Sequence, residues 1–219
     1  MYALITGISG NLGSVWRDIM QEMDIDVQGV DLPDTDVSNI ESINKIIDID
    51  KVDILVNNAA IDPKPSNGGG KFWRYDDVID VNLKGAINMC YAVIPGMIES
   101  GGGLIVNIGS IMGNIGADWR NYREGFDKAI GYNVSKCGLI QLSRSICTQY
   151  GRYNIRAVTI SFGPVDIGLP EEFKLKFLRN VPIGRCVSNQ SLKATLRYVI
   201  ECPEMTGQQI LIDGGYTAW

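Results

Sequence analysis

The sequence predicts an α/β protein: a single domain over residues 1–219, built as a doubly wound parallel sheet. Three observations predict it. Short runs rich in Val and Ile alternate with longer helical patterns, the rhythm of a parallel sheet covered on both faces. A glycine-rich turn, "TGISGNLG", follows the first of those runs directly. The length of 219 residues fills one hydrophobic core and leaves two cramped.

The elements follow in order. "YALIT" reads as the first strand, "GSVWRDIMQEM" as the first helix, and "VQGVD" as the second strand, ending at Asp31. The next connection is abnormal: only "LPDT" separates Asp31 from Asp36, whereas a parallel crossover needs about ten to twelve residues. The crossover after the second strand is therefore missing, the usual third strand is absent or a stub at "TDV", and the next helix is expected from roughly Ile40 to Ile49. "VDILVNN", "GLIVNIGS" and "IRAVTIS" supply later strands. "DPKPSNGGG" reads as a loop over the carboxyl edge of the sheet, either a solvated linker or a cover for a ligand.

Composition narrows the function. Twenty basic residues against 25 acidic ones, net −5 with a pI near 4.8, give no electrostatic footprint for nucleic acid or an anionic membrane. Small-molecule partners are favoured. The start carries no basic, apolar leader and no run reaches the length of a membrane span, so a cytoplasmic location is expected. Five scattered cysteines form no Cys-x-x-Cys pair and read as reduced core thiols. The absence of histidine removes the usual general base of hydrolases and the commonest zinc ligand, and no metal site is expected.

Gly7, Gly10 and Gly13, spaced by three between a strand and a helix, suit the close approach of a pyrophosphate to the helix N-terminus. Asp31 closes the second strand where a carboxylate would bind a ribose 2′-hydroxyl; a turn-forming aspartate is the plainer reading. With Asp34 nearby and no basic residue in the turn, a 2′-phosphate would be repelled, so NAD is favoured over NADP. Arg17, one turn into the helix, reads as an exposed arginine that needs no ligand. Further on, Tyr132 and Lys136 stand four apart in "GYNVSKCGLI", one helical turn on one face.

Taken together these motifs resemble the short-chain dehydrogenase/reductase family, whose fold is a Rossmann domain, over essentially the whole chain. The matching stretches are "TGISGNLG", "DV" at Asp36 and Val37, "NNAA" at 57–60, "VNLKGA" with Asn82, "NIGS" ending in Ser110, "YNVSK", "SFGPV" and "TGQQILIDGG". The resemblance implies an NAD-dependent oxidoreductase in which Tyr132 is the general acid/base, Lys136 lowers its pKa and binds the nicotinamide ribose, Ser110 binds the substrate oxygen, and Asn82 holds a relay water. It places the cofactor against Gly7, Ser9, Gly10, Asn11, Leu12, Gly13, Asp31, Asp36, Val37, Asn58, Ala59, Ala60, Val165 and Ile167, besides Tyr132 and Lys136. The magnitudes agree: lowering a phenol by roughly three units needs about 4 kcal/mol, and one ammonium about 4 Å away at an effective dielectric near 20 supplies that order.

Departures from the family pattern bear on cofactor and substrate. Phe162 stands where proline is usual, Ile167 where threonine is usual, and Ala60 where glycine is usual. The stretch between Ser110 and Tyr132 is long and carries Trp119, Arg120, Tyr122 and Arg123. It is either a binding loop for a polar, anionic substrate or a solvated loop whose arginines pair with Asp118 or Glu124. The substrate-covering segment "DIGLPEEFKLKFLRN" is short, against a large apolar substrate. "NNAAIDPK", the long insert and "DGGYTAW" are most similar to the subgroup associated with flagellin modification and surface-sugar biosynthesis. The expected reaction interconverts a secondary alcohol and a ketone on a small polar, carbohydrate-derived substrate. A nucleotide-sugar ketoreductase or epimerase and a non-catalytic NAD-responsive protein are the alternatives. The resemblance further implies a homotetramer, or else a homodimer, through helices near Ala86–Ser100 and Ser135–Tyr150 and the closing "GYTAW".

Overall fold

A computed structural model of the chain describes residues 1–63, 75–122 and 128–218. Six strands, β1 (Tyr2–Thr6), β2 (Asp26–Val30), β3 (Ile54–Asn57), β4 (Gly103–Ile108), β5 (Ile155–Phe162) and β6 (Gln209–Ile212), form one sheet in the order β2-β1-β3-β4-β5-β6. Every pairing is parallel, with Leu4 facing Leu55, Leu55 facing Ile105, and Ile105 facing Ala157. Helices α1 (Gly13–Gln21), α2 (Ile40–Ile43), α3 (Tyr75–Ile79), α4 (Ala86–Ser100), α5 (Ile130–Tyr150), α6 (Glu171–Leu178) and α7 (Asn189–Glu201) complete the described elements.

The period-two alternation of each strand assigns the helices to two faces. Ala3, Ile5, Ile54, Val56, Val106 and Val158 pack against Trp16, Met20, Leu192 and Leu196 of α1 and α7. The residues between them, Leu4, Leu55, Ile105 and Ala157, pack against Met89, Val93 and Met97 of α4 and Ile146 of α5. Near-continuous apolar strands are thus the residue-level requirement of a sheet buried on both sides. A third, smaller cluster of Ile111, Met112, Phe177, Val181 and Tyr216 lies apart from the two faces.

The missing crossover is real. Thr35 N–H closes a turn on the Asp31 carbonyl at 2.8 Å, across a cis Leu32–Pro33 bond, and Asp36 and Val37 pass by without forming a strand. Among the described residues β2 is consequently an edge of the sheet. The helix expected from Ile40 to Ile49 is shorter, four residues capped by Asn39, whose side chain accepts from Glu41 N–H. It ends at Ile43 in tighter turns, Lys45 N–H donating to the Ser42 carbonyl (3.2 Å) and Ile46 N–H to the Ile43 carbonyl (3.0 Å), and beyond them Asp48 adopts φ 56°. A 3₁₀ turn at Ile49–Lys51 takes its place and lies so close to α4 that a Cβ on Gly96 would stand 2.1 Å from the Asp50 carbonyl oxygen.

The cysteines are all unpaired, yet only Cys90 is buried and Cys137 is exposed, so they are not uniformly core thiols. No described helix is long and apolar enough to cross a membrane.

Candidate active site

The glycine turn sits where β1 ends. Gly7 N–H donates to the Val30 carbonyl (2.8 Å), Gly10 N–H to Gly7 (3.1 Å) and Gly13 N–H to Gly10 (3.1 Å), which winds the chain into α1. Gly7 adopts φ +66°, and a Cβ there would lie 2.7 Å from Ala59 Cα; a Cβ on Gly13 would lie 2.3 Å from the Gly7 carbonyl oxygen. The backbone is therefore closed on the protein side, while Ser9, Gly10 and Asn11 are exposed. Leu12 offers α1 no side-chain cap, so the positive end of the helix dipole stands open beside the turn.

Asp31 is tied to that turn: its carboxylate accepts from Ser9 N–H at 2.8 Å and from Leu32 N–H at 2.9 Å. Arg17 pairs with Asp18 at 2.9 Å, as its exposed helical position foreshadowed. Asn58 binds the Thr6 and Gly7 carbonyls through Nδ2 and accepts from Trp16 Nε1, so its side chain braces the turn. Ala59 N–H donates to Thr6 Oγ1, and Ala60 is exposed. Phe162, in the position where proline was expected, stacks on buried Trp16 with ring centroids 5.8 Å apart. The departure is matched by a large partner beneath the turn. An open helix N-terminus, a turn with no room for side chains on its inner face and a carboxylate at the end of β2 fit a dinucleotide.

Two predicted contacts are less direct. Val37 is buried in the core against Gly85, and the Asp36 carboxylate accepts from the N–H (2.9 Å) and hydroxyl (2.7 Å) of Ser38. Val165 is buried and bridges Val187, its carbonyl accepting from Ile167 N–H, while Ile167 is exposed.

At the reacting end, α5 carries Tyr132 and Lys136, and Ser110 follows β4 and caps a 3₁₀ turn by accepting from Met112 N–H. Burial pushes the Tyr132 phenol up to about 12, Asp62 and Tyr122 add to the rise, and a hydrogen bond with Ser110 opposes it. Lys136 is fully enclosed; burial brings it down to about 8 against the pull of Asp62, and Nζ donates to the Ile108 carbonyl at 2.7 Å. Its ammonium lies 5.6 Å from the Tyr132 ring centroid. The expected lowering of Tyr132 by Lys136 is thus not produced by these residues alone, because desolvation of the phenolate outweighs a cation turned toward a carbonyl.

Asn82 lies in a π-helical segment, Asp80–Gly85, between α3 and α4. Its side chain accepts from Ile61 N–H (2.8 Å), donates to the Ile61 carbonyl (2.9 Å) and reaches Ser135 Oγ at 3.3 Å. It clamps the segment after β3 to α5.

The described part of the insert is docked. Trp119, Tyr122, Phe173, Phe177 and Tyr216 form a chain of ring contacts with centroids 4.6 to 5.7 Å apart. Arg120, however, is paired with Asp118 at 2.8 Å and its side chain is 84% exposed, so the solvated alternative holds for it. Arg123 lies outside the described residues, as does most of 62–70. A cation that sequence reasoning missed is at the site instead: Lys128 Nζ lies 4.4 Å from the Tyr132 ring centroid and pairs with Asp62. The available signal was spacing, since Lys128 precedes Tyr132 by four residues as Lys136 follows it by four.

Comparison with known proteins gives one family description, "Enoyl-(Acyl carrier protein) reductase", matched by residues 5–217. The chain is 29% identical over 220 residues to a 3-oxoacyl-(acyl-carrier-protein) reductase of Chlamydia trachomatis, covering 96% of this chain and 85% of that one. It is 32% identical over 171 residues to the protein of the same name from Thermotoga maritima, covering 75% and 66%. A short chain dehydrogenase from Leptospira borgpetersenii, solved with bound NAD+, superposes with a TM-score of 0.88 at 26% identity, covering 99% of this chain and 92% of that one.

Proposed function

Because the chain belongs to the short-chain dehydrogenase/reductase family, we propose that it is an NAD-dependent oxidoreductase interconverting a secondary alcohol and a ketone on a small polar, carbohydrate-derived substrate. The observation that carries the reading is the pairing of two ends of one site: a turn built for a pyrophosphate at β1, and Ser110, Tyr132 and Lys136 gathered after β4 and on α5.

The residues divide the work. Gly7, Gly10 and Gly13 with the start of α1 hold the pyrophosphate, and Asp31 accepts the adenosine ribose hydroxyls and repels a 2′-phosphate. Ser110 and Tyr132 hold the substrate oxygen between two hydroxyls. Tyr132 Oη takes the carbinol proton in oxidation and returns it in reduction. Lys136, whose ammonium burial brings down to about 8, binds the nicotinamide ribose and passes the proton outward. When bound, the nicotinamide dinucleotide supplies the hydride exchange and, in its oxidised form, a positive ring that favours the phenolate. Asn82 keeps α5 and the segment after β3 in register.

The names of the curated relatives favour a second reading, reduction of a 3-oxoacyl thioester. Parallel assays separate them: NADH formation with sugar alcohols and sugar acids, against NADH consumption with acetoacetyl thioesters. Turnover of the thioesters alone would sink the carbohydrate reading. NAD binding with NADP excluded is expected by calorimetry. A homotetramer is the proposed assembly, supported by apolar side chains left on the surface of α4 and α5, Tyr91, Ile130 and Val134.

A further inference from the structure

Lys128 stands just before α5, and only 10% of its side chain is exposed. Fixing and desolvating a lysine costs rotamer entropy and hydration, and is sustained where the ammonium has partners. Asp62, from the segment after β3, supplies two oxygens at 2.7 and 3.0 Å, and the face of Tyr132 supplies the third contact at 4.4 Å. Three charged groups among the described residues surround the phenol: Lys128, Lys136 and Asp62. One carboxylate thus answers two ammonium groups, and an excess positive charge remains beside the phenol. Asp62 is 40% exposed, so the pair lies at the rim, where a ligand can reach Nζ.

We propose that Lys128 is the specificity-determining contact for an oxyanion, a carboxylate or phosphate carried on the same molecule as the reacting carbinol, and that Asp62 is the positioning residue that holds its ammonium against Tyr132. The oxyanion then lies within about one ring's breadth of the oxygen that Tyr132 protonates. This inference rests on the proposed oxidoreductase function and narrows its substrate to anionic secondary alcohols.

The test titrates inorganic phosphate into NAD-saturated protein by calorimetry, so that the pyrophosphate position is already filled. Wild type binds phosphate, and Lys128→Gln weakens it by about tenfold or more, the scale of a lost charge-assisted hydrogen bond. In turnover, the ratio of kcat/KM for a charged secondary alcohol to that for its neutral counterpart falls by a similar factor. Carboxylated and phosphorylated arms of the panel identify which oxyanion the site prefers. Phosphate binding that is absent, or equal in wild type and Lys128→Gln, overturns the proposal, as does an unchanged ratio. Asp62→Ala removes the anchor of the ammonium, so the charged-to-neutral kcat/KM ratio falls, and Asp62→Asn, which keeps an acceptor, restores part of it; a ratio unchanged in Asp62→Ala overturns the role given to Asp62. Protein that takes up no NAD overturns the functional reading and this inference together, whereas protein that takes up NAD and ignores phosphate overturns this inference alone.

Discussion

Tyr132 and Lys136 start from displaced protonation equilibria, and each displacement has a measurable consequence. The phenol sits at about 12 and the ammonium at about 8. Replacing Tyr132 by Phe removes the proton carrier and keeps the ring, so kcat should fall by about 10²–10⁴-fold while NAD affinity changes little; undiminished turnover would exclude Tyr132 as the base. For Lys136 the folded value of about 8 lies below the ordinary 10.5. Between those limits the unfolded chain binds more protons, so the cost of burying Lys136 is fully present below pH 8 and is relieved as pH rises to about 10.5. The difference in unfolding free energy between wild type and Lys136→Met should therefore move in favour of wild type by on the order of 3 kcal/mol over that range. Urea titrations at several pH values measure it, and a flat difference would contradict the burial of a titrating lysine. The positions of both groups were legible as a spacing of four. Their titration was not, because it depends on how completely the surrounding chain excludes water and on the direction in which Nζ points.

Strand positions were readable because burial on both faces forces continuous Val and Ile, and Asn39 marks the start of α2, whereas its early end at Ile43 was not legible because the tight turns after it carry no strong local signal. Contacts between elements were less visible. Phe162 at the end of β5 is the partner of Trp16 on α1, a pairing across 146 positions of sequence that no local pattern announces. Phe162→Ala should cost about 3–5 kcal/mol, and should also loosen NAD binding because Trp16 braces Asn58 beneath the glycine turn. Thermal unfolding and calorimetry on one variant test both effects. Arg156 on β5 plays the corresponding role at the far end of α7, donating to the carbonyls of Val199, Ile200, Cys202 and Met205 at 2.9 to 3.2 Å. Arg156→Met leaves those carbonyls without their donor and is expected to cost on the order of 2–3 kcal/mol. Arg156→Lys should recover only part of this, since an ammonium lacks the planar fork. The insert divides in the same way: Trp119 and Tyr122 pack into the chain of rings, whereas Arg120 turns to Asp118, two residues away and always within reach.

At the scale of the whole molecule, a tetramer of 24.0 kDa chains should sediment as four copies, and Tyr91→Glu on α4 should shift it toward smaller species if that helix meets a partner. A 24.0 kDa particle for the unaltered protein would remove the assembly proposal. The sheet itself ends at β2, with no strand beyond it among the described residues. That open margin makes the exposed Leu32–Asp34 turn a natural splice point for protein engineering. A strand and helix grafted there would lie outside β2, adding a seventh ribbon without passing through the chemistry at Tyr132. The graft would start one residue after Asp31, so its success or failure would appear first as a change in which dinucleotide the protein accepts.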